Sequence, residues 1–261
     1  MSFDIVRQRI DGRLRAKAAA MLVSIEGGLD RIMIGWLLVA GLATAARIAF
    51  NPIKGTIGIE GLLPLLLLVF APFASMVLAL RWFADGESQP QPRTRLAVVG
   101  KWRTIPAEQA KRHHLYGAGG IMVSLLVGML LNVPVRALEY WAAIPPIMGP
   151  VPQWLTVLHT MMTLDVVLLT SLYTIAFVAA LRRVPLFPRL LAGIWLMDLA
   201  MQLIIARAVA GAPGLPAQVG QALHALLEGN VKKVLISIGL WLPYLLLSRR
   251  VNVTYRSRVS A

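Results

Sequence analysis

Residues 155–208, LTVLHTMMTLDVVLLTSLYTIAFVAALRRVPLFPRLLAGIWLMDLAMQLIIARA, decide the fold class of this chain. They hold two long apolar runs, 155–181 and 188–208, joined by a short turn that contains Arg182 and Arg183. A helix needs roughly 20 apolar residues to cross a hydrocarbon core of about 30 Å. Because the turn is short, the two runs are predicted to be antiparallel transmembrane helices that lie side by side.

Four further apolar runs of similar length predict four more transmembrane helices. Of the 261 residues, 57% are apolar and 15% are charged, and the mean hydropathy is +0.70. Lipid offers no hydrogen-bond partners to a bare backbone, and no run alternates as a barrel strand does, so all the spans are expected to be helical. The sequence therefore predicts an all-α bundle of about six spans. The other four lie at 32–50, 59–82, 115–135 and 231–247.

The distribution of Lys and Arg predicts the orientation of the bundle. The formal net charge is +14, but the basic residues lie in short clusters between the apolar runs and form no stripe of the kind that binds nucleic acid. The clusters are richest before the first run, between the second and third, between the fourth and fifth, and after the sixth. Under the positive-inside rule, this pattern predicts both termini in the cytoplasm of a bacterial inner membrane.

The chain is predicted to have three parts. Residues 1–30 form a basic amphipathic arm at the membrane interface, where Arg7, Arg9, Arg13, Arg15 and Lys17 meet anionic headgroups. Residues 31–114 form a two-helix hairpin with a cytoplasmic loop, and Thr104 and Pro106 open a short helix in that loop. Residues 115–261 form a four-helix unit.

A stretch of sequence near the C-terminus resembles that of a known family. The run Trp241-Leu242-Pro243-Tyr244 through Ser248-Arg249-Arg250-Val251 to Thr254-Tyr255 resembles the closing signature of the DUF2569 family of small bacterial membrane proteins. Gly117-Ala118-Gly119-Gly120 and Arg182 to Pro188 resemble the family more weakly, with Ile121 as a departure. The resemblance spans about residues 116–258. It implies a four-helix membrane unit and no particular activity.

The predicted loop at 138–154 is apolar, aromatic and rich in proline. We expect it to lie at headgroup level on the outer side, with Tyr140, Trp141 and Trp154 as interfacial anchors. A second outer loop carries a short helical pattern around 216–228. Both loops are candidates for covering a site.

No catalytic, cofactor or metal-binding motif is found, and the chain has no cysteine. The candidates that remain are ionisable residues within the spans, which are costly in lipid and so suggest function. Asp165 and Arg207 lie at similar estimated depths on neighbouring helices, so a pair is expected, which Arg47 can join. Such a cluster either holds an anionic headgroup or a proton, or fixes the helix register. The candidate residues are Arg47, Glu60, His159, Asp165, Asp198 and Arg207.

Asp198 is predicted to stand apart, near the middle of its helix, with Gln202 one turn away and no basic partner at its depth. It is therefore expected to be protonated, to face water or to meet a partner protein.

The interpretation ranked first is a non-enzymatic membrane component that handles lipid or another amphiphile, or that assists an envelope assembly or transport complex. It needs no cofactor, and it allows partner membrane proteins or a homo-oligomer. Gly120, Ser124 and Gly128 recur every four residues, which suits the close approach of another helix. The alternatives are a small proton-coupled transporter that uses Asp165 and Asp198 and an intramembrane enzyme.

Overall fold

The computed structural model describes residues 2–50, 58–93, 100–147 and 149–261. Within these ranges six long apolar helices are candidate membrane spans, which confirms the predicted fold class. In chain order the elements are α1 (Ser2–Gly27), α2 (Leu29–Ala49), α3 (Ile59–Trp82), β1 (Trp102–Thr104), α4 (Ala107–Lys111), α5 (Ile121–Ala143), α6 (Gln153–Leu181), α7 (Phe187–Ala210), α8 (Ala217–Leu247), α9 (Arg249–Arg256) and β2 (Arg258–Ser260).

Two spans are longer than the sequence predicts. Helix α5 continues through Pro134 to Ala143, where the prediction ended it at residue 135. Helix α8 begins just after Pro216, so the short outer helical pattern and the last apolar run are one helix. A proline inside a membrane helix removes one hydrogen bond, which neighbouring helices can compensate, and so it need not end the helix.

Tyr140 and Trp141 are therefore not interfacial loop anchors, and that prediction was wrong. Both lie in the last turn of α5 and are buried. With Val133 and Ala137 they form one face of the helix at three- and four-residue spacing, and this face packs into the bundle.

Helix α6 lies at the centre and packs against α3, α5 and α7, while α8 packs against α7 and α2 against α3. The buried apolar side chains form two large clusters along the bundle. One includes Phe177, Phe187 and Tyr255 near the C-terminal segment. The other includes Tyr140 and Ile205 and lies toward the opposite end. The face of α5 at Ser124 and Gly128 is exposed, so this small-residue spacing is not used for packing within the chain.

We call the end of the bundle that carries residues 182–186 and 248–261 the basic end. There β2 pairs antiparallel with β1, which joins the C-terminus to the loop between α3 and α5. Both segments therefore lie on one side of the membrane, which agrees with the four spans between them, α5 to α8. The assignment of this side to the cytoplasm rests on the basic residues and stays a prediction.

The loop helix begins later than expected. Thr104 belongs to β1 and does not cap a helix, and α4 begins at Ala107 after Pro106. The backbone around Thr104 pairs with β2, and the sequence of the loop alone does not indicate this partner.

Helix α9 closes the basic end and is largely buried. The Tyr255 hydroxyl donates to the carbonyl oxygen of Ala180 at 2.8 Å, and the Gly117 N–H donates to Thr254 Oγ1 at 3.0 Å. Arg256 Nη1 donates to the carbonyl oxygen of Leu245 at 2.7 Å. The C-terminal segment that carries the family resemblance thus holds α5, α6 and α8 together.

Within the described part of the chain, no carboxylate forms an ion pair with Arg256. Its Nη1 also donates to Asn252 Oδ1 at 3.2 Å, whereas its Nη2 is buried without a hydrogen-bond partner. Burial, together with the nearby charges of Arg258 and Arg189, lowers the pKa of Arg256 to about 10.

A second polar contact ties the loop after α3 to the turn between α6 and α7. Glu87 Oε2 accepts from Arg183 Nη1 at 3.2 Å and from the Tyr116 hydroxyl at 3.1 Å. Burial acts to raise the pKa of Glu87, but these hydrogen bonds and the Arg183 charge outweigh it and lower the pKa. Burial and the adjacent Glu87 raise the pKa of Tyr116 to about 12.

Candidate functional site

Arg136 is the residue that organises the polar interior of the bundle. It lies fifteen residues into α5, which places it about 22 Å along the helix. The sequence interpretation ended the span at residue 135 and left Arg136 on the outer side. The missed signal was the helical spacing of apolar residues that continues past Pro134.

Arg136 bridges two carboxylates from different helices. Its Nη1 donates to Asp165 Oδ2 at 3.2 Å, and its Nη2 donates to Asp198 Oδ2. Gln202 Nε2 donates to the other oxygen of each carboxylate, at 3.2 Å for Asp165 and 3.4 Å for Asp198. The Tyr173 hydroxyl donates to Asp198 Oδ2 at 3.2 Å. These five residues form what we call the acid–arginine cluster.

The cluster is enclosed and is linked to two flanking amides. Asp165 and Asp198 are 3% and 0% exposed, and the Arg136 side chain is 11% exposed. Arg136 Nε donates to Asn132 Oδ1 at 3.2 Å, and Asn230 Nδ2 donates to Gln202 Oε1 at 3.3 Å. The cluster therefore joins α5, α6, α7 and α8, at the junction of the two apolar core clusters.

The expected pairing of Asp165 with Arg207 was wrong. Arg207 is exposed on α7, and Arg136 is the basic partner of Asp165. The expectation that Asp198 lacks a basic partner was wrong for the same reason, because Arg136 contacts it too. A depth estimated from the sequence does not tell which face of a helix a side chain occupies.

Arg47 and His159 lie apart from the cluster. Arg47 is half-buried on α2; its Nη2 donates to the carbonyl oxygen of Ile144 at 3.4 Å, and its Nε is buried without a partner. His159 is buried on α6, where its Nε2 lies 3.4 Å from the Tyr140 hydroxyl. Glu60 belongs to the first turn of α3, but its side chain lies outside the described residues.

Two small cavities adjoin the cluster. One, of about 60 Å³, is lined by Arg136, Asp198 and Tyr173 and extends to Glu139 and Lys233. The other, of about 20 Å³, lies between Arg136, Asp165 and Tyr140. A water molecule needs roughly 10–15 Å³ of such space. Both cavities thus match one or a few waters and are far smaller than an organic solute.

A larger groove of about 250 Å³ lies on another face of the bundle, between α2, α3 and α5. Its walls are almost wholly apolar, and it passes Gly35, Pro72 and Pro134. We call it the lateral groove. The side chains that line it are Ile32, Met33, Trp36, Val39, Pro72, Phe73, Met76, Leu130, Leu131, Val133, Pro134 and Thr174, together with Gly35.

The part of the chain that the structure describes contains no group of three or more His, Asp or Glu side chains arranged to hold a metal ion. We take the acid–arginine cluster and the lateral groove as the two candidate sites.

Comparison with known proteins gives no match. No family model, no curated protein and no solved structure is similar to this chain. The resemblance of residues 116–258 to the DUF2569 family accordingly stays a prediction, and the chain is described as a multi-span membrane protein built from six apolar helices.

Proposed function

We propose that this protein is a non-enzymatic membrane component that binds an acyl chain of a lipid or another amphiphile in the lateral groove. The observation that carries the proposal is the groove itself, an apolar recess between α2, α3 and α5. An empty recess loses the dispersion contacts of its lining atoms, so an apolar group from the bilayer stabilises it by filling it.

The composition of the groove favours an acyl chain. Its walls are almost wholly apolar. A hydrocarbon chain brings no polar group that such walls would leave without a hydrogen bond.

The charges near one end of the groove favour an anionic headgroup. The groove begins at Ile32, directly after the exposed Arg31. Its wall on α3 ends at Met76, and the exposed Arg81 lies five residues further, about 7.5 Å along the helix. Two arginines therefore lie where the headgroup of a lipid with its chain in the groove meets the membrane surface.

A substitution that fills the groove with a side chain of the protein itself tests this function. Open space surrounds Gly35, so Gly35→Leu places a side chain in the groove without a clash. Displacing about two chain methylenes at roughly 0.8 kcal/mol each is expected to weaken lipid retention by about tenfold. The measurement is mass spectrometry of lipids that stay bound to the purified protein after detergent washing.

Gly41→Leu is the matched control. Gly41 lies on the same helix, is also half-buried and has the same open space, but it does not line the groove. It is expected to retain lipid as the natural protein does. Equal retention by both variants and the natural protein would show that the groove binds no lipid.

The alternative function is a small proton-coupled transporter, and the observation that suggests it is the pair of buried aspartates in the acid–arginine cluster. The cavities beside the cluster are sized for water, so this conformation offers an organic solute no place next to Asp165 or Asp198. Solute uptake that disappears in Asp165→Asn would favour transport over lipid binding.

A further inference from the structure

The acid–arginine cluster contains more acidic than basic groups. Asp165 and Asp198 are both buried, and Arg136 is the cation in direct contact with them. With both carboxylates ionised, the three side chains carry one negative charge in excess. A charge without compensation inside a bilayer costs at least about 2.5 kcal/mol. The geometry therefore calls for one bound positive charge.

The hydrogen bonds of the cluster favour a proton over a metal cation. Each aspartate accepts from Arg136 at Oδ2 and from Gln202 at Oδ1. A hard cation needs about six oxygen ligands around it, and the adjacent guanidinium repels it. A proton needs a single lone pair on one oxygen, which these contacts leave available.

A polar path leads from the cluster to the surface of the bundle. The cavity of about 60 Å³ reaches from Asp198 to Glu139 and Lys233, and both of these side chains are partly exposed. Lys233 Nζ donates to Glu139 Oε1 at 2.5 Å. This ion pair lies where the cavity opens to the surface, which we call the mouth. The mouth faces away from the basic end, because Glu139 lies near the far end of α5.

We propose that Asp165 and Asp198 together bind one proton, which exchanges through this cavity with the water on the side opposite the basic end. On binding, a hydronium ion transfers its proton to one carboxylate oxygen and leaves a water molecule in the cavity. No electron is transferred and no other bond breaks. The proposal is independent of lipid binding in the lateral groove.

Neighbouring charged and titratable groups come from four helices. Glu139 is paired with Lys233, so the excess negative charge belongs to the two aspartates. The described groups that face the cluster or its cavities are Arg136, Glu139 and Tyr140 on α5; His159, Asp165 and Tyr173 on α6; Asp198 on α7; and Lys233 on α8.

Infrared spectroscopy of the full chain in lipid nanodiscs tests the proposal. A carboxylic-acid C=O band is expected at neutral pH, where exposed aspartates are ionised. Asp165→Asn and Asp198→Asn should each abolish this band, because one remaining carboxylate balances Arg136. Glu228→Gln should keep it, because Glu228 pairs with Lys232 at the surface and lines neither cavity. Gly35→Leu should also keep it while losing lipid.

A second measurement does not depend on the variants. In the natural protein, ¹³C-labelling of the aspartate side-chain carboxyl should shift the band, whereas labelling of glutamate should not. The proposal is overturned if no such band exists at neutral pH, if it shifts with labelled glutamate, or if it survives in either asparagine variant.

Discussion

Arg136 and Arg256 are both held inside this protein, but different groups surround them. Arg136 contacts two buried carboxylates. Arg256 is 4% exposed and donates to a backbone carbonyl and an amide oxygen, while its Nη2 has no partner. The first arginine lies in the membrane interior, and the second lies where α9 covers the basic end.

This difference shows that the groups that offset the charge of a buried arginine depend on where the arginine lies in the bundle. In the interior, lipid solvates no charge, so the guanidinium of Arg136 is offset mainly by the carboxylates of Asp165 and Asp198. At the basic end, Arg256 lies near the C-terminus of α8, where carbonyl dipoles carry partial negative charge, and these partly replace a carboxylate. The lowered pKa of Arg256 shows that the compensation is incomplete.

Removing Arg136 is expected to have the largest effect. Arg136→Leu leaves Asp165 and Asp198 buried together without their cation, and breaking a buried ion pair costs about 3–5 kcal/mol. Protonation of both aspartates can offset part of this loss, so the loss should be smaller at acidic pH. Thermal unfolding in detergent at several pH values measures both effects.

Arg207→Leu is the control for this variant. Arg207 is exposed on α7, so its removal should change the free energy of unfolding by less than about 0.5 kcal/mol. An equal loss in the two variants would contradict the central role of Arg136.

Removing Arg256 is expected to have a smaller effect. Arg256→Leu leaves Leu245 O and Asn252 Oδ1 without this donor, but it leaves no carboxylate without its cation. Each unsatisfied buried group costs about 1–3 kcal/mol, and removal of an incompletely compensated charge offsets part of that cost. We expect a net loss of about 1–2 kcal/mol by the same unfolding measurement. A loss as large as that of Arg136→Leu would break the contrast between the two sites.

The sequence predicted the six spans well because a hydrophobic run near 20 residues long has few alternatives in lipid. It also selected Asp165 and Asp198, since a carboxylate in such a run is rare without a reason. The sequence interpretation missed Arg136 because it ended the span at residue 135 and assigned residues 138–154 to an outer loop. One wrong boundary thus assigned the central residue of the site to the aqueous side.

The basic end was harder to predict for a different reason. The contact between Tyr255 and Ala180 joins residues far apart in the chain, and no local pattern indicates it. The pairing of β1 with β2 has the same origin. The lateral groove is also a product of packing, because it is formed by the space that three helices leave open.

The smallest expected effect is at Glu87, an exposed carboxylate that contrasts with the buried pair around Arg136. Glu87 is 40% exposed on its side chain, so solvent screens its contact with Arg183, and Glu87→Gln should cost at most about 1 kcal/mol near neutral pH. Its pKa in the folded protein lies below the ordinary value of 4.5.

The ionised Glu87 therefore stabilises the fold above about pH 4.5, and this contribution is lost as the pH falls through the lowered pKa. The natural protein and Glu87→Gln should differ in unfolding temperature at neutral pH and converge in acid. Arg136→Leu should likewise approach the natural protein in acid, but from a much larger difference at neutral pH. If the Glu87→Gln difference instead grows as the pH falls, the contact with Arg183 does not stabilise the basic end through the charge of Glu87.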